Sequence, residues 1–450
     1  MFIDTSLTPL QLEHDAIRVA TLAAQKTSRL LHRWKSTDGA PVITVAGRYG
    51  SRSWTNWTQG FLYGNGLLAF EIAGDTALFD QARQLILSEM ADHLTHIGVH
   101  DHGFNCVSTY GNLRRLMRLG RVDFNPWEMA VYETALRVSG AVQASRWTQL
   151  PDGFGYIYSF NGAHSLFVDT FRTLRICDLA HQLGHTLHGE QDRHINLLDR
   201  VLRHAITSSR YNVYYGEGRD LYDTTGRTVH EAVFNPASGA FRCPSTQQGY
   251  SPFTTWTRGL AWAMLGATEQ IEFLQSLPAD AAPEITSQAI KVLYKTARAT
   301  CDFYLTEAAA SDGICYWDTG APGIAKLGDW KSRPADPYND CEPVDSSASA
   351  IAAQALLRMG HIADNEGHHY VSAGLSIART LFKEPYLSTE ANHEGLLLHS
   401  IYHRPNNWDY APIAGLVPYG ESSMWGDYHL LELALLITRA AKGQHYTFFE

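Results

Sequence analysis

Apolar residues return at spacings of three and four along this chain in about twelve stretches, a period that admits helices and little else. The stretches are 8–34, 58–73, 76–96, 104–118, 126–145, 165–184, 190–209, 257–274, 281–307, 346–360, 366–383 and 424–441. Pro126 at a helix start, with Asp123 just before it, is a fitting start signal. The stretches alternate between amphipathic and apolar on nearly all sides. In 165–184, Leu166, Phe167, Phe171, Leu174, Ile176, Cys177 and Leu179 cover more than one face, and a helix apolar nearly all round is buried. An even set alternating in this way predicts two concentric layers: an all-α helical toroid.

The connections 146–164, 210–256, 308–345 and 384–423 are rich in Gly, Pro and aromatic residues. Loops that long inside a compact unit are usually functional, and they are expected over one mouth of the toroid. Within them, 211–234 reads as a short hairpin. No Pro- or Ser-rich linker and no shift in composition interrupts 1–450, so a single domain is expected.

With 45% hydrophobic and 18% charged residues the chain has ample material for a core. Its 22 Tyr and 11 Trp supply amphipathic rings suited to a polar pocket. A net charge of −10 and the lack of a Lys/Arg stripe argue against nucleic acid. Cys106, Cys177, Cys243, Cys301, Cys315 and Cys341 are scattered with no CxxC pair, which predicts reduced core thiols. Met1-Phe2-Ile3-Asp4 lacks a basic n-region, and no apolar run reaches membrane-spanning length. A cytoplasmic location is the expectation.

Several motifs lose their chemistry on inspection. Gly64-Asn65-Gly66-Leu67-Leu68-Ala69 has the letters of a dinucleotide fingerprint but no preceding strand, so close helix packing explains its glycines. His181 and His185 have the zinc-protease spacing, yet Gln182 stands where the catalytic Glu would be. Asp345 and Asp427 precede or open apolar helices and read as N-caps.

Three places remain. His100-Asp101-His102-Gly103-Phe104 sets a carboxylate between two imidazoles at a helix end, where Asp101 is either a cap or a titratable group facing a cavity. Asp169 falls in the apolar stretch Phe167-Val168-Asp169-Thr170-Phe171. A charge there is costly unless it meets a wet cavity or stays protonated, and a carboxyl raised by desolvation suits proton donation. The bland alternative is a pair with Arg172 at i+3. Finally, Gln247, Gln248, Trp256, Arg258 and Trp262 lie close together around a helix start. Two Trp faces with an Arg and an amide suit a sugar bearing a carboxylate, and they equally suit a core.

In combination, His-Asp-x-Gly-Phe, the helical Asp169, Thr-Trp-x-Arg-Gly-x-Ala-Trp and Gly-Leu-Leu-Leu-His with Trp-Gly-Asp-Tyr-x-x-x-Glu resemble the unsaturated glucuronyl hydrolases of glycoside hydrolase family 88. The likeness runs from about Trp54 to Leu436. It implies an (α/α)6 toroid, or six-hairpin barrel. It also implies removal of a 4,5-unsaturated uronic acid from the non-reducing end of lyase-generated oligosaccharides, by hydration of the vinyl ether. Carried over, Asp169 is the general acid/base and Asp101 a second essential Asp that orients substrate and tunes its partner. His230 and Gln248 lie near the double bond and its water. Trp256 and Trp262 stack on the sugar, Arg258 makes a polar contact to it, and His100 and Phe104 line the pocket. No metal or organic cofactor is implied. The chain departs from the family at Gln247, often His, and at Phe61-Leu62, often Phe-Trp. The alternatives are an unsaturated rhamnogalacturonyl hydrolase, an ordinary two-carboxylate glycosidase on saturated sugar, and a non-catalytic sugar-binding protein.

Overall fold

The computed structural model describes residues 1–52, 56–278, 284–363, 367–413 and 416–450. Trp54, where the family likeness begins, and the expected helix starts at 281 and 366 lie outside them. Helices α1 (Pro9–Arg33), α2 (Gln59–Ala73), α3 (Thr76–Glu89), α4 (102–118), α5 (Pro126–Ser145) and α6 (170–182) form the first half. Then come α7 (Leu197–Asn212), α8 (Thr257–Ser276), α9 (Glu284–Phe303), α10 (Ser346–Ile362), α11 (Gly367–Leu381) and α12 (Met424–Ala441). A π turn, Val107–Gly111, interrupts α4, and another, Tyr304–Ala308, extends α9.

The even-numbered helices touch in sequence, α2 to α4, α6, α8, α10 and α12, and α12 returns to α2. The odd-numbered helices pack outside them: α1 on α2 and α12, α5 on α6, α9 on α8, α11 on α10. This is the expected all-α toroid. Burial follows the layers. In α2 every residue from Gln59 to Glu71 is buried, whereas α1 buries a stripe containing Leu12, Ala16, Val19, Ala20 and Ala23. Fully burying each Leu, Ile or Phe contributes about 1.5–3 kcal/mol, so the closed inner ring dominates stability. Glycine lets the ring close. A side chain at Gly103 of α4 would overlap the Thr173 backbone of α6, and one at Gly64 of α2 would meet Tyr428 and the Ser108 carbonyl. The Gly-Asn-Gly motif is therefore packing.

Several expectations need correction. The stretch 165–184 does not start as a helix. Ser165–Phe167 is a strand paired antiparallel with Glu231–Phe234, which in turn pairs with Phe241–Ser245. Backbone pairing overrides the apolar period there, and helix begins only at Thr170. Consequently 211–234 is not a simple hairpin: Val213 bridges Thr228, while Glu231–Phe234 is committed elsewhere. Likewise 190–209 becomes helical only at Leu197, behind Asn196, which caps Leu198 and Asp199, and the hairpin Thr186–His188/His194–Asn196 precedes it. The last part of 76–96 is a 3-10 turn, Ala91–Thr95. Asn125, not Asp123, caps α5, accepting from the Trp127 and Glu128 amides.

Opposite the mouth, the ring interior holds charge. Arg172 pairs with Glu269 and Glu432, Arg358 with Glu272, and Arg115 and Arg439 both with Glu71. Tyr446, from the last residues described, donates to Glu432. Breaking such buried pairs costs about 3–5 kcal/mol because it strands the partner charge. The cysteines are all unpaired, with Cys106, Cys177, Cys301 and Cys315 buried. Cys243 is exposed and is no core thiol. Among the described residues no helix is long and apolar enough to cross a membrane.

Candidate active site

The inner helices start at one end of the ring, and the residues just before them build a cavity. Asp101 precedes α4, Asp169 precedes α6 and Trp256 precedes α8. All three line a space of about 630 Å³. Neither Asp makes a side-chain capping bond to its helix. Capping therefore does not explain Asp101, whose carboxylate is left for the cavity. Three of the four long loops contribute walls: Phe160 and Asn161, then Gln247 and Gln248, then Tyr402, His403 and Trp408.

On the floor, His100 stands between the two carboxylates. Its Nε2 is 3.7 Å from Asp101 Oδ1 and 3.6 Å from Asp169 Oδ1. The ring is held edge-on by Phe167 at 5.5 Å and stacked by Phe160 at 6.0 Å. His102 takes no part. Its Nδ1 meets Ser139 Oγ at 2.7 Å and its Nε2 the His96 carbonyl at 3.0 Å, so only one of the flanking imidazoles faces the site.

Burial and charge split the cluster. Burial alone would lower His100, but the Asp101 and Asp169 carboxylates outweigh it and hold the imidazolium above its ordinary range. Burial would raise Asp169, yet contact with His100, aided by His230, holds it below the usual carboxylate value. Asp101 keeps the rise that burial causes, despite His100. The sequence-based expectation that desolvation raises Asp169 is thus reversed. A cation 3.6 Å away overrides it. Nor does Arg172 neutralise Asp169, since its guanidinium turns away to Glu269 and Glu432.

Phe104 sits between Trp57 at 5.5 Å and Trp262 at 5.0 Å. Trp256 packs against His230 at 4.7 Å, while Trp262 meets His429 at 5.0 Å. The two tryptophans therefore serve different parts of the wall. His230 is buried behind Phe167 and Trp256 rather than lining the cavity. Its Nδ1 accepts from the Gln247 and Gln248 amides, fixing that loop, and burial pushes its pKa down to about 4.

Arg258 lines the cavity, but its guanidinium is engaged by protein. It lies between the Trp256 and Trp425 rings, 4.7 Å from each. Its terminal nitrogens donate to Gln248 Oε1 (2.7 Å), the Tyr402 carbonyl (2.8 Å), Asp345 Oδ2 (3.2 Å) and the Ile401 carbonyl. It is a strut between floor and wall.

Asp345 does cap α10, through the Ser347 and Ala348 amides. Asp427 does not cap α12, where Ser423 holds the Gly426 amide. Asp427 instead accepts from the Leu396 and Leu397 amides and from Tyr49 Oη. His185 lies past the end of α6, so it shares no helix face with His181.

Sequence reasoning passed over Trp57, Phe160, Asn161, Tyr402, His403 and Trp408. One usable signal was position: Trp57 lies two residues before α2, at the same end as Asp101 and Asp169.

No family model matches the chain. The unsaturated glucuronyl hydrolase of Formosa agariphila is 24% identical over 384 residues, covering 84% of this chain and 78% of that protein. An unsaturated chondroitin disaccharide hydrolase of Streptococcus pyogenes is 24% identical over 437 residues, covering 94% and 92%. The crystal structure of an unsaturated glucuronyl hydrolase from a Bacillus species, described as responsible for glycosaminoglycan degradation, superposes with a TM-score of 0.70. It is 22% identical, and the match covers 95% of this chain and 97% of that one.

Proposed function

We infer that this chain is an unsaturated glucuronyl hydrolase, and the chemistry that follows starts from that identity. Its substrate is an oligosaccharide, left by a polysaccharide lyase, that ends in a 4,5-unsaturated uronate. The observation that carries this reading is His100, set between two unequal carboxylates on the floor of an aromatic-walled cavity.

The reaction needs one proton delivered and one removed. A proton goes to C4 of the vinyl ether, and water, losing its own proton, adds to C5. The resulting hemiketal opens its ring bond to a ketone at C5. The hemiacetal left at C1 then collapses to an aldehyde and expels the remaining sugar.

We assign the donor role to Asp169, the base role for water to the same cluster, and orientation to Asp101. In the free cavity the contact favours an ionised Asp169 beside a protonated His100, since it lowers the one and raises the other. A uronate carboxylate entering this space adds a third negative charge, which raises the pKa of its neighbours. In this reading the uronate carboxylate sits nearer Asp169 than His100 and raises Asp169 more, so the proton passes from His100 to Asp169, which delivers it to C4. Phe104, Trp256 and Trp262 give the flat unsaturated ring an apolar, aromatic lining. Gln248, whose amide oxygen is held by Arg258, keeps its nitrogen for substrate or water.

The single catalytic unit spans 1–450 in this reading. A cytoplasmic location belongs to it too, supported by the free thiols. The test is a panel of lyase-generated disaccharides beside their saturated counterparts, followed through the ultraviolet absorbance of the unsaturated uronate. Loss of absorbance with release of the second sugar is expected. Turnover of the saturated compounds alone would make this an ordinary glycosidase, and binding without turnover a lectin. Preference for a rhamnose leaving sugar would move it to the rhamnogalacturonyl group.

A further inference from the structure

One wall of the cavity is a single stretch of loop, 401–409, and it is held from both edges. On one edge Arg258 donates to the carbonyls of Ile401 and Tyr402. On the other, the amides of Tyr402 and His403 donate to the two carboxylate oxygens of Asp409, at 2.5 and 3.0 Å. The Ile401 amide reaches Asp345 Oδ1 at 3.4 Å. Between these anchors the chain makes a tight turn. The Asn406 and Trp408 amides donate back to the His403 carbonyl, and Asn407 takes a φ of 52°. The turn puts the Trp408 ring 5.4 Å from Tyr402 and 5.0 Å from His403. Asp409 follows Trp408 directly, so its carboxylate closes the loop that it ends.

Tyr402, His403, Asn406 and Trp408 all line the cavity. Tyr402 and His403 are buried like the floor carboxylates, and Asn406 and Trp408 carry the wall out toward the mouth. Asp101 and Asp169 are 6% and 8% exposed, whereas Asn406 is exposed and Trp408 half-buried toward the mouth. In the hydrolase reading, a uronate whose C4 meets the floor has C1, on the far side of its ring, directed outward to where Asn406 and Trp408 lie.

We propose that Asp409 is a positioning residue for the leaving sugar: it pins the Tyr402-His403 peptide so that Trp408 and Asn406 present a fixed surface to that ring. The proposal rests on the hydrolase reading above and names a determinant that reading does not contain. Removing the carboxylate leaves two amides without acceptors and frees one edge of the wall. Arg258 continues to hold the other edge, so the floor and the acid are undisturbed. Binding on the leaving side weakens while the chemical step persists.

The test uses the full chain with Asp409→Ala and Asp409→Asn, an unsaturated disaccharide as substrate, and hydrogen exchange of the 401–408 amides. For Asp409→Ala, KM is expected to rise about tenfold, the loss of two charge-assisted bonds, with kcat within about threefold of wild type. Exchange at Tyr402 and His403 accelerates while the inner helices keep their protection. Asp409→Asn retains one acceptor oxygen and gives a smaller rise, and it decides the matter if the alanine variant does not fold. Unchanged KM and unchanged exchange in a folded variant would overturn the proposal. So would a fall in kcat at constant KM, which would put Asp409 in the chemistry. A wild-type chain inactive on every unsaturated substrate would sink the hydrolase reading instead, and the exchange experiment would then judge the clamp alone.

Discussion

His100 Nε2 lies 3.6 Å from Asp169 Oδ1, and neither atom has a hydrogen-bond partner among the described residues. The contact is too long for a hydrogen bond and short enough for strong Coulomb attraction in a buried site. The pair is therefore poised: a proton on His100 can move to Asp169 when a negative charge settles nearer Asp169 than His100 and raises it more.

Asp169→Asn removes the acceptor of that proton and the donor to C4. Turnover is expected to fall by about 10²–10⁴-fold or more, as for loss of a general acid. The fold should survive, because Asp169 makes no capping bond and no pair with Arg172, with stability lowered only by the lost contact to His100. A near-normal rate would take Asp169 out of the mechanism.

His100→Asn should shift pH dependence in a defined direction. His100 lowers both carboxyls against the rise that burial causes, so both rise in the variant. The alkaline limb of the kcat/KM profile, where the donor proton is lost, then reports the raised Asp169 carboxyl alone instead of the His100–Asp169 pair. Stability carries the same signature. The raised His100 contributes below its ordinary 6.5 and loses that contribution as pH rises through its folded value. The depressed Asp169 contributes above its ordinary 3.8 and loses it as pH falls through its folded value. Wild type should exceed the variant most between these limits, and denaturant titrations across pH 4–8 read the difference. A difference independent of pH would contradict the charge assignment.

Trp256 is only 3% exposed, yet it lines the cavity and supports His230. Trp256→Ala should cost about 3–5 kcal/mol of stability, as for truncation of a large buried ring. Trp256→Phe keeps most of the packing, so it isolates the substrate contact: KM rises with kcat largely kept. Unaltered KM in the folded phenylalanine variant would leave Trp256 a core residue only.

Hydration and direct glycoside hydrolysis differ in where solvent hydrogen ends. Turnover in heavy water should place deuterium at C4 of the uronate product, seen by NMR or mass spectrometry. Because C4 neighbours the new ketone, preformed product kept in heavy water for the same time is the control. Deuterium at C4 no greater than in that control would exclude protonation there.

Helix number and layering were legible in the chain alone, because periods of three and four survive as burial. The stretch Gln59–Ala73 is apolar all round and became an inner helix, while Pro9–Arg33 is striped and became an outer one. The motif aspartates were legible too, Asp101 between two imidazoles and Asp169 against apolar neighbours. Tertiary structure decided the rest, because the deciding partners are far apart in sequence. Ser165–Phe167 became a strand only because Glu231–Phe234 lies beside it. Arg258 became a strut through Gln248, Asp345 and the carbonyls of Ile401 and Tyr402, so its donors are spent before any substrate arrives. The direction of Asp169's pKa depended on an imidazole 69 positions earlier in the chain. Local composition reports desolvation, which raises a carboxyl. Only the folded geometry supplies the cation that lowers it.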